Sequence, residues 1–419
     1  MLGKGKANTM THMNDKKPAE KNTTERLREG AKRIEPHVIE LRRMFHQHPE
    51  LSKHEQWTAD AVCAELDALG VPWKRVLGTG VVATIEGAAP DAYVNGVPRR
   101  RLAMRADMDA LPVTERTGAP FASQCEGIMH ACGHDCHMAM TLGAVRLLTE
   151  VRDQLRGEVR VIFQPAEEIS CGARAMIAAG VLEGVDSIYG AHVWSEVEAG
   201  TFSCEPGQRM AHTDWFRIDI EGVSAHGSMP HKGVDAVVVG AEMVTALQVL
   251  VSRDVSPFEP VVVTVGEFHG GSARNIMAGT AYLTGTVRTW SDKLRAEVPD
   301  RLERIVGKLA RAFGAKATFS FESGNAGLAN DPECAARARR AIVETLGEEA
   351  VGSYEGTLSG EDFSEYLRFV PGVFVFVGGR NPNVGANHPQ HSCFYTVDES
   401  VLAKGSLVAA QYAVDYLGE

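Results

Sequence analysis

Between residues 216 and 321 the chain runs strand, helix, strand, strand, helix, strand, and this block constrains its architecture more than any other feature. Phe216, Ile218 and Ile220 alternate with polar residues, as in a strand with one wet face. A helix is predicted over residues 235–251, strands over 261–265 and 281–289, a helix over 292–312 and a strand over 317–321. That order is β-α-β-β-α-β, the ferredoxin-like unit, a complete small domain. The flanking sequence reads differently. Continuous apolar runs at residues 81–85, 102–106, 159–163 and 188–193 alternate with helical segments such as 139–148 and 173–179. After residue 324 come a helix from Pro332, a strand at 373–377 and a helix near 401–416. Strands alternating with helices predict an α/β sheet covered on its faces. The expected architecture is therefore an α/β domain of residues 23–207 and 325–419, interrupted by an inserted ferredoxin-like domain of residues 208–324.

The N-terminal region adds detail. Leu27, Ala31, Ile34, Val38, Leu41 and Phe45 recur at steps of four and three, the apolar face of a helix. Ser52-x-x-Glu55 reads as a capping box opening a second helix, with Gly70 as its stop. Residues 1–22 are polar and Lys-rich, without the apolar stretch of a secretory signal, and read as a disordered tail. With 43 basic and 54 acidic side chains the net charge is −11, which speaks against nucleic-acid and anionic-membrane partners. No apolar run is expected to reach the length that spans a bilayer. Eight Cys in 419 residues, without an even framework, point to free thiols or metal ligands in a reducing compartment, and so to the cytoplasm.

Chemistry concentrates in Met129-His130-Ala131-Cys132-Gly133-His134-Asp135-Cys136-His137, which holds three of the fifteen His. Thiolate and imidazole are ligands for zinc and its neighbours. Cys132 and His134 can converge in a loop at a helix N-terminus, where the dipole favours a thiolate. The plainer reading is a His-rich cap with buried cysteines. Glu167 and Glu168 follow an apolar strand, where open α/β sheets place their sites. Such neighbours can divide the work, one facing a metal and one a water; alone they also read as a solvated acidic loop. His192 ends another strand, His388 to His391 precede the last helix, and Asp107 and Asp109 follow the strand at 102–106. His130 and His137 read as supporting residues, and Asp135 as a cap of the following helix.

Taken together the chain resembles the M20 metallopeptidases, and among them the amidohydrolases that cleave N-acyl amino acids, such as hippurate and auxin-conjugate hydrolases. The carrying motifs are FHQHPELS (45–52), RADMDALP (105–112), MHACGHDCHMA (129–139), FQPAEE (163–168), GAHVW (190–194), GVSAHGSMPHKGVDA (222–236), ARNIMAGTAYLTGTVRT (273–289), SGEDFSEY (359–366) and HSCFYTVDE (391–399). The resemblance implies two divalent ions per subunit, zinc, manganese or cobalt. Cys132 matches the bridging ligand, an Asp in most of the clan, and His134, Glu168, His192 and His391 match the others. It implies Glu167 as general base and Asp107 as the acid that orients the ligands. His226 matches a histidine of the inserted domain that reaches the partner subunit's site, and Asn275 and Arg288 match positions that bind the substrate carboxylate. The inserted domain is implied to be a lid and dimerisation module, giving a homodimer that acts on a small N-acyl amino acid. Cys393 departs from the pattern, which has Pro there. A dipeptidase or carboxypeptidase of the same clan is the nearest alternative. A metal-binding protein without catalysis, and an enzyme with Cys132 as nucleophile and His134 as base, belong to other classes.

Overall fold

The computed structural model describes residues 22–419; the expected tail falls, but for Asn22, outside the described residues. Two sheets organise it. The larger has seven strands, in spatial order Trp73–Val76, Gly80–Glu86, Glu158–Gln164, Arg101–Asp107, Ser187–Glu198, Gly372–Arg380 and Phe202–Ser203. Its four central strands are parallel and its edges antiparallel. Alternate residues of these strands enter two different cores. Val81, Met104, Val161 and Val375 face the helices Thr23–Gln47, His134–Glu150 and Leu402–Gly418. Val82, Ala103, Ile162 and Phe374 face the other side, with Met176, Phe363 and Tyr366. Burial on both faces explains why these strands read as unbroken apolar runs.

The first helix spans Thr23–Gln47, and its six predicted apolar residues are all buried. Burying each large side chain stabilises by about 1.5–3 kcal/mol. Asn22 caps it, accepting the Glu25 N–H at 2.8 Å. The second helix, Gln56–Ala68, has no side-chain cap, so the Ser52/Glu55 capping box does not form. Both side chains are engaged elsewhere: Ser52 donates to Asp109, and Glu55 accepts from Thr79 and Ala166. Asp135 does not cap its helix either; its carboxylate is held by Arg42 at 2.9 Å and His46 at 2.7 Å.

The smaller sheet has four antiparallel strands in the order Val261–Gly270, Thr280–Thr289, His212–Glu221, Lys316–Ser323, which is the ferredoxin-like order. The helices Ala236–Val249 and Asp292–Ala312 pack on one face around a core of its own. Its edge strand runs to Gly270, beyond the expected residue 265, by way of a bulge between Val265 and Glu267. The other face looks toward the larger sheet. One helix exceeds the expected limit on apolar length. The stretch Ala236–Asp254, 19 residues of mean hydropathy 1.5, is long and apolar enough to cross a membrane by length and composition. Its Ala236, Val239, Met243, Leu247 and Leu250 pack on the sheet, while Val237, Val238 and Val249 remain exposed.

Candidate metal centre and active site

The site lies at the carboxyl ends of the parallel strands. His134 opens a helix just after Gly133, whose φ of +99° no side chain would adopt easily and whose added Cβ would meet Val193 at 2.4 Å. This tight turn sets Cys132 beside the helix start. Among the described residues five groups of three potential ligand atoms lie within mutual reach, three of them built on Asp107 or Glu167 with neighbouring His and acids, and two on the sulfur: Cys132 with His134 and His192, and Cys132 with Glu168 and His391. Cys132 belongs to both. Its Sγ is 3.5 Å from His192 Nε2, and His391 Nε2 is 3.7 Å from Glu168 Oε2.

The tautomers are dictated by the backbone. His134 Nδ1 lies 2.8 Å from the Asp109 carbonyl and His192 Nδ1 2.7 Å from the Val193 carbonyl. A carbonyl only accepts, so each ring donates from Nδ1 and keeps Nε2 as its ligating atom. Around His134 burial is outweighed by Asp107 and Asp109, which lift its pKa well above the imidazole range, so an ion binding there displaces a proton. His134 Nε2 and Glu168 Oε1 are buried without a hydrogen-bond partner. Burial lifts the Cys132 thiol well above its usual range, with the Glu168 charge adding to it. Buried ring nitrogen and carboxylate oxygen atoms without hydrogen-bond partners, beside a thiol that needs a positive neighbour to ionise, form a donor set that fits soft divalent ions. The same upward shift counts against Cys132 as a metal-free nucleophile.

Behind these atoms stands a shell of support. Asp107 accepts from His137 Nδ1 at 2.6 Å and from Arg105 at 2.6 Å, and lies 3.7 Å from His134 Nε2. His137 in turn accepts the Val193 N–H at 3.0 Å, fixing its tautomer. Burial opposes the Asp107 charge, but His134, Arg105 and His137 outweigh it and hold its pKa well below the usual range. Arg105, 4% exposed, also binds Asp362 at 2.6 Å and Glu361 at 3.0 Å. Glu167 sits against this acidic group; burial first, then Glu361 and Glu168, raise its pKa well above the glutamate range. From sequence alone Arg105 and Asp362 have no role of their own, Glu55 only that of a helix cap, Asp109 only a place beside Asp107 after its strand, and Glu361 equally that of a substrate contact or a helix-start acid; the structure draws all five into the support of the site.

A cavity of about 620 Å³ opens over the site. Cys132, Glu167, Glu168, His192 and His391 form its floor, and Trp215, Val262, Thr264, Thr286 and Arg288 of the smaller sheet its roof. Arg288 donates to the Val287 carbonyl at 3.1 Å and, among the described residues, forms no salt bridge. His226 and Asn275 do not line this cavity. They sit together on an exposed pair of short strands, Ala225–His226 with Ile276–Met277, where the Gly227 N–H donates to the Asn275 carbonyl at 2.9 Å. The Ser228 N–H donates to His226 Nδ1 at 3.1 Å, which leaves Nε2–H pointing away as a donor.

Comparison with known proteins fits this geometry. The profile of Peptidase family M20/M25/M40 matches residues 103–415. The chain belongs to that family. "Thermostable carboxypeptidase 1" of Saccharolobus solfataricus is 37% identical over 397 residues, covering 94% of this chain and 98% of that protein. "N-acyl-L-amino acid amidohydrolase" of Geobacillus stearothermophilus is 43% identical over 304 residues, 72% of this chain and 80% of that one. Among solved structures, the Bacillus subtilis YXEP protein, described as a dinuclear metal-binding peptidase of family M20, superposes with a TM-score of 0.80 at 34% identity, over 92% of this chain and 99% of that one.

Proposed function

We infer that this family member is a metal-dependent amidohydrolase that cleaves N-acyl amino acids to a carboxylic acid and a free amino acid. The observation that carries this reading is the pair of ligand triads joined at Cys132, with Glu167 on the same cavity floor and Arg288 above it. Relatives named N-acyl-L-amino acid amidohydrolase and N-acetylcysteine deacetylase support it. Cys132, His134 and His192 would hold one divalent ion, and Cys132, Glu168 and His391 a second; zinc, manganese and cobalt suit these donors. When bound, such ions polarise an amide carbonyl and make a water acidic near neutral pH.

The chain's own residues do the rest. Glu167 takes the proton of the attacking water and passes it to the departing amine nitrogen. Asp107 and His137 keep the imidazole cluster oriented. Arg288, half-buried and without a salt bridge, offers its guanidinium to the amino-acid carboxylate. His226 donates from Nε2 to the developing oxyanion in the site of a partner subunit, with Asn275 beside it for the substrate carboxylate. The ferredoxin-like insertion, residues 208–324, acts as lid and dimer module. Its exposed Val237, Val238 and Val249, with Phe268 of the free edge strand, form the face offered to a second copy. Eight free cysteines suit a reducing cytoplasm.

The carboxypeptidase relative favours a second reading, hydrolysis of peptides with a free amine. Glu361 lines the cavity and is an acid such an amine would seek, but Arg105 already holds it at 3.0 Å. Turnover of N-acetyl and N-benzoyl amino acids against matched dipeptides separates the two. On the preferred class Glu167→Gln lowers kcat by roughly 10²- to 10⁴-fold while bound metal persists. Near-native kcat in that variant would remove Glu167 as the base.

A further inference from the structure

Glu167 and Glu168 are adjacent, yet the reaction proposed above directs them at different partners. The turn that divides them is gripped by two buried carboxylates. Asp109, 1% exposed, accepts the Glu167 N–H on Oδ1 and the Glu168 N–H on Oδ2, each at 3.1 Å, and the Ser52 hydroxyl on Oδ2 at 2.6 Å. Glu55, fully buried, accepts the Ala166 and Lys53 N–H groups on Oε1, each at 2.9 Å, and the Thr79 hydroxyl on Oε2 at 2.9 Å. Ala166 sits at φ +57°, the left-handed region that costs a residue with a Cβ about 1 kcal/mol or more. Three successive N–H groups therefore end on side-chain carboxylates rather than in a helix or ladder. A strained turn persists only where its surroundings over-determine it. Neither carboxylate lines the cavity.

We propose that Asp109 and Glu55 are positioning residues which clamp the turn of residues 166–168 by its three N–H groups and thereby set Glu167 and Glu168 on their separate courses. The role assigned to the turn rests on Glu167 being the base. The two clamps differ in what an amide can replace. Asp109 spends both oxygens on backbone N–H groups, so Asn would set an NH₂ against one of them. Glu55 takes both of its N–H groups on one oxygen, and its other oxygen faces a hydroxyl that can accept as well as donate. Gln can therefore keep every bond there.

Amide hydrogen exchange on the metal-free full chain reads the clamp directly. In Asp109→Asn, exchange at Glu167 and Glu168 quickens about tenfold, the loss of one buried hydrogen bond. With metal restored, kcat falls on the order of 100-fold while KM stays close to that of the parent, the signature of misplaced rather than missing groups. Glu55→Ala frees the Ala166 amide and lowers kcat, and Glu55→Gln restores most of both. Parental exchange and kcat in Asp109→Asn would overturn the proposal, as would a Glu55→Gln protein as impaired as Glu55→Ala. Should Asp109→Asn fail to fold, the Glu55 pair decides alone. Exchange in the metal-free chain does not depend on the reaction, so an active Glu167→Gln enzyme with a protected turn would sink the base and leave the clamp standing.

Discussion

At residue 132 a sulfur occupies the place where most of the clan is expected to carry a carboxylate, and the difference is one of softness. A thiolate favours zinc-like ions, a carboxylate harder ones such as manganese. Cys132→Asp is predicted to keep a bridging anion and shift selectivity from zinc toward manganese, measured by competition dialysis; Cys132→Ala loses both ions. Arg288 makes a separate prediction. Losing a charge-assisted contact to a carboxylate costs about 1.5–3 kcal/mol, so Arg288→Ala raises KM by roughly 10- to 100-fold with a smaller effect on kcat. A third concerns Glu115, which His46 contacts at 3.3 Å. Burial disfavours the Glu115 charge, but His46, the Ser123 N–H and the Thr117 hydroxyl outweigh it and bring its pKa from 4.5 to about 2. A depressed carboxylate contributes stability above its unfolded value and loses it as pH falls toward its folded value. Glu115→Gln therefore destabilises at neutral pH and flattens the loss of stability between pH 4.5 and about 2 in acid melts. Residues of this kind divide in how legible they are. Cys132, His134 and Glu168 stand out by chemistry and by their place after strands. Asp109 and Glu55 act by accepting backbone N–H groups, and no spacing reveals that; Ser52-x-x-Glu55 even mimics a cap while both side chains serve the site.

The elements themselves were readable wherever burial imposes a period. The βαββαβ order follows from alternation in the strand His212–Glu221 and from the amphipathic helix Asp292–Ala312, whose Leu294, Val298, Leu302, Val306 and Ala310 are buried. Only the first half of the edge strand Val261–Gly270 is legible in the sequence, because its second half is exposed and bulged and carries no apolar rhythm. The helix beginning at Ala236 is apolar beyond the needs of its own core, and that surplus has a consequence. A second copy seated on Val237 and Val238 predicts a two-chain mass by light scattering, reduced to one chain by Val238→Arg. On the proposal that His226 serves a partner's site, the separated variant also loses activity; a fully active single chain would contradict the trans arrangement.

Across the whole molecule, the carboxyl ends of four parallel strands and the open face of a second sheet enclose one cavity, and distant segments meet there. Glu168 and His391 are joined by no local element; only the sheet brings them to 3.7 Å. The excess of buried acids around Arg105, together with unpartnered His134 Nε2 and Glu168 Oε1, leaves the centre short of positive charge. Divalent ions supply it, so chelation is predicted to lower the melting temperature as well as abolish turnover. Anomalous diffraction at the zinc edge, from crystals grown with excess zinc, tests the central claim most directly. The account predicts two peaks, each about 2.3 Å from the sulfur of Cys132, one flanked by His134 and His192 and the other by Glu168 and His391. A single peak, or peaks that leave Cys132 uncoordinated, would contradict it.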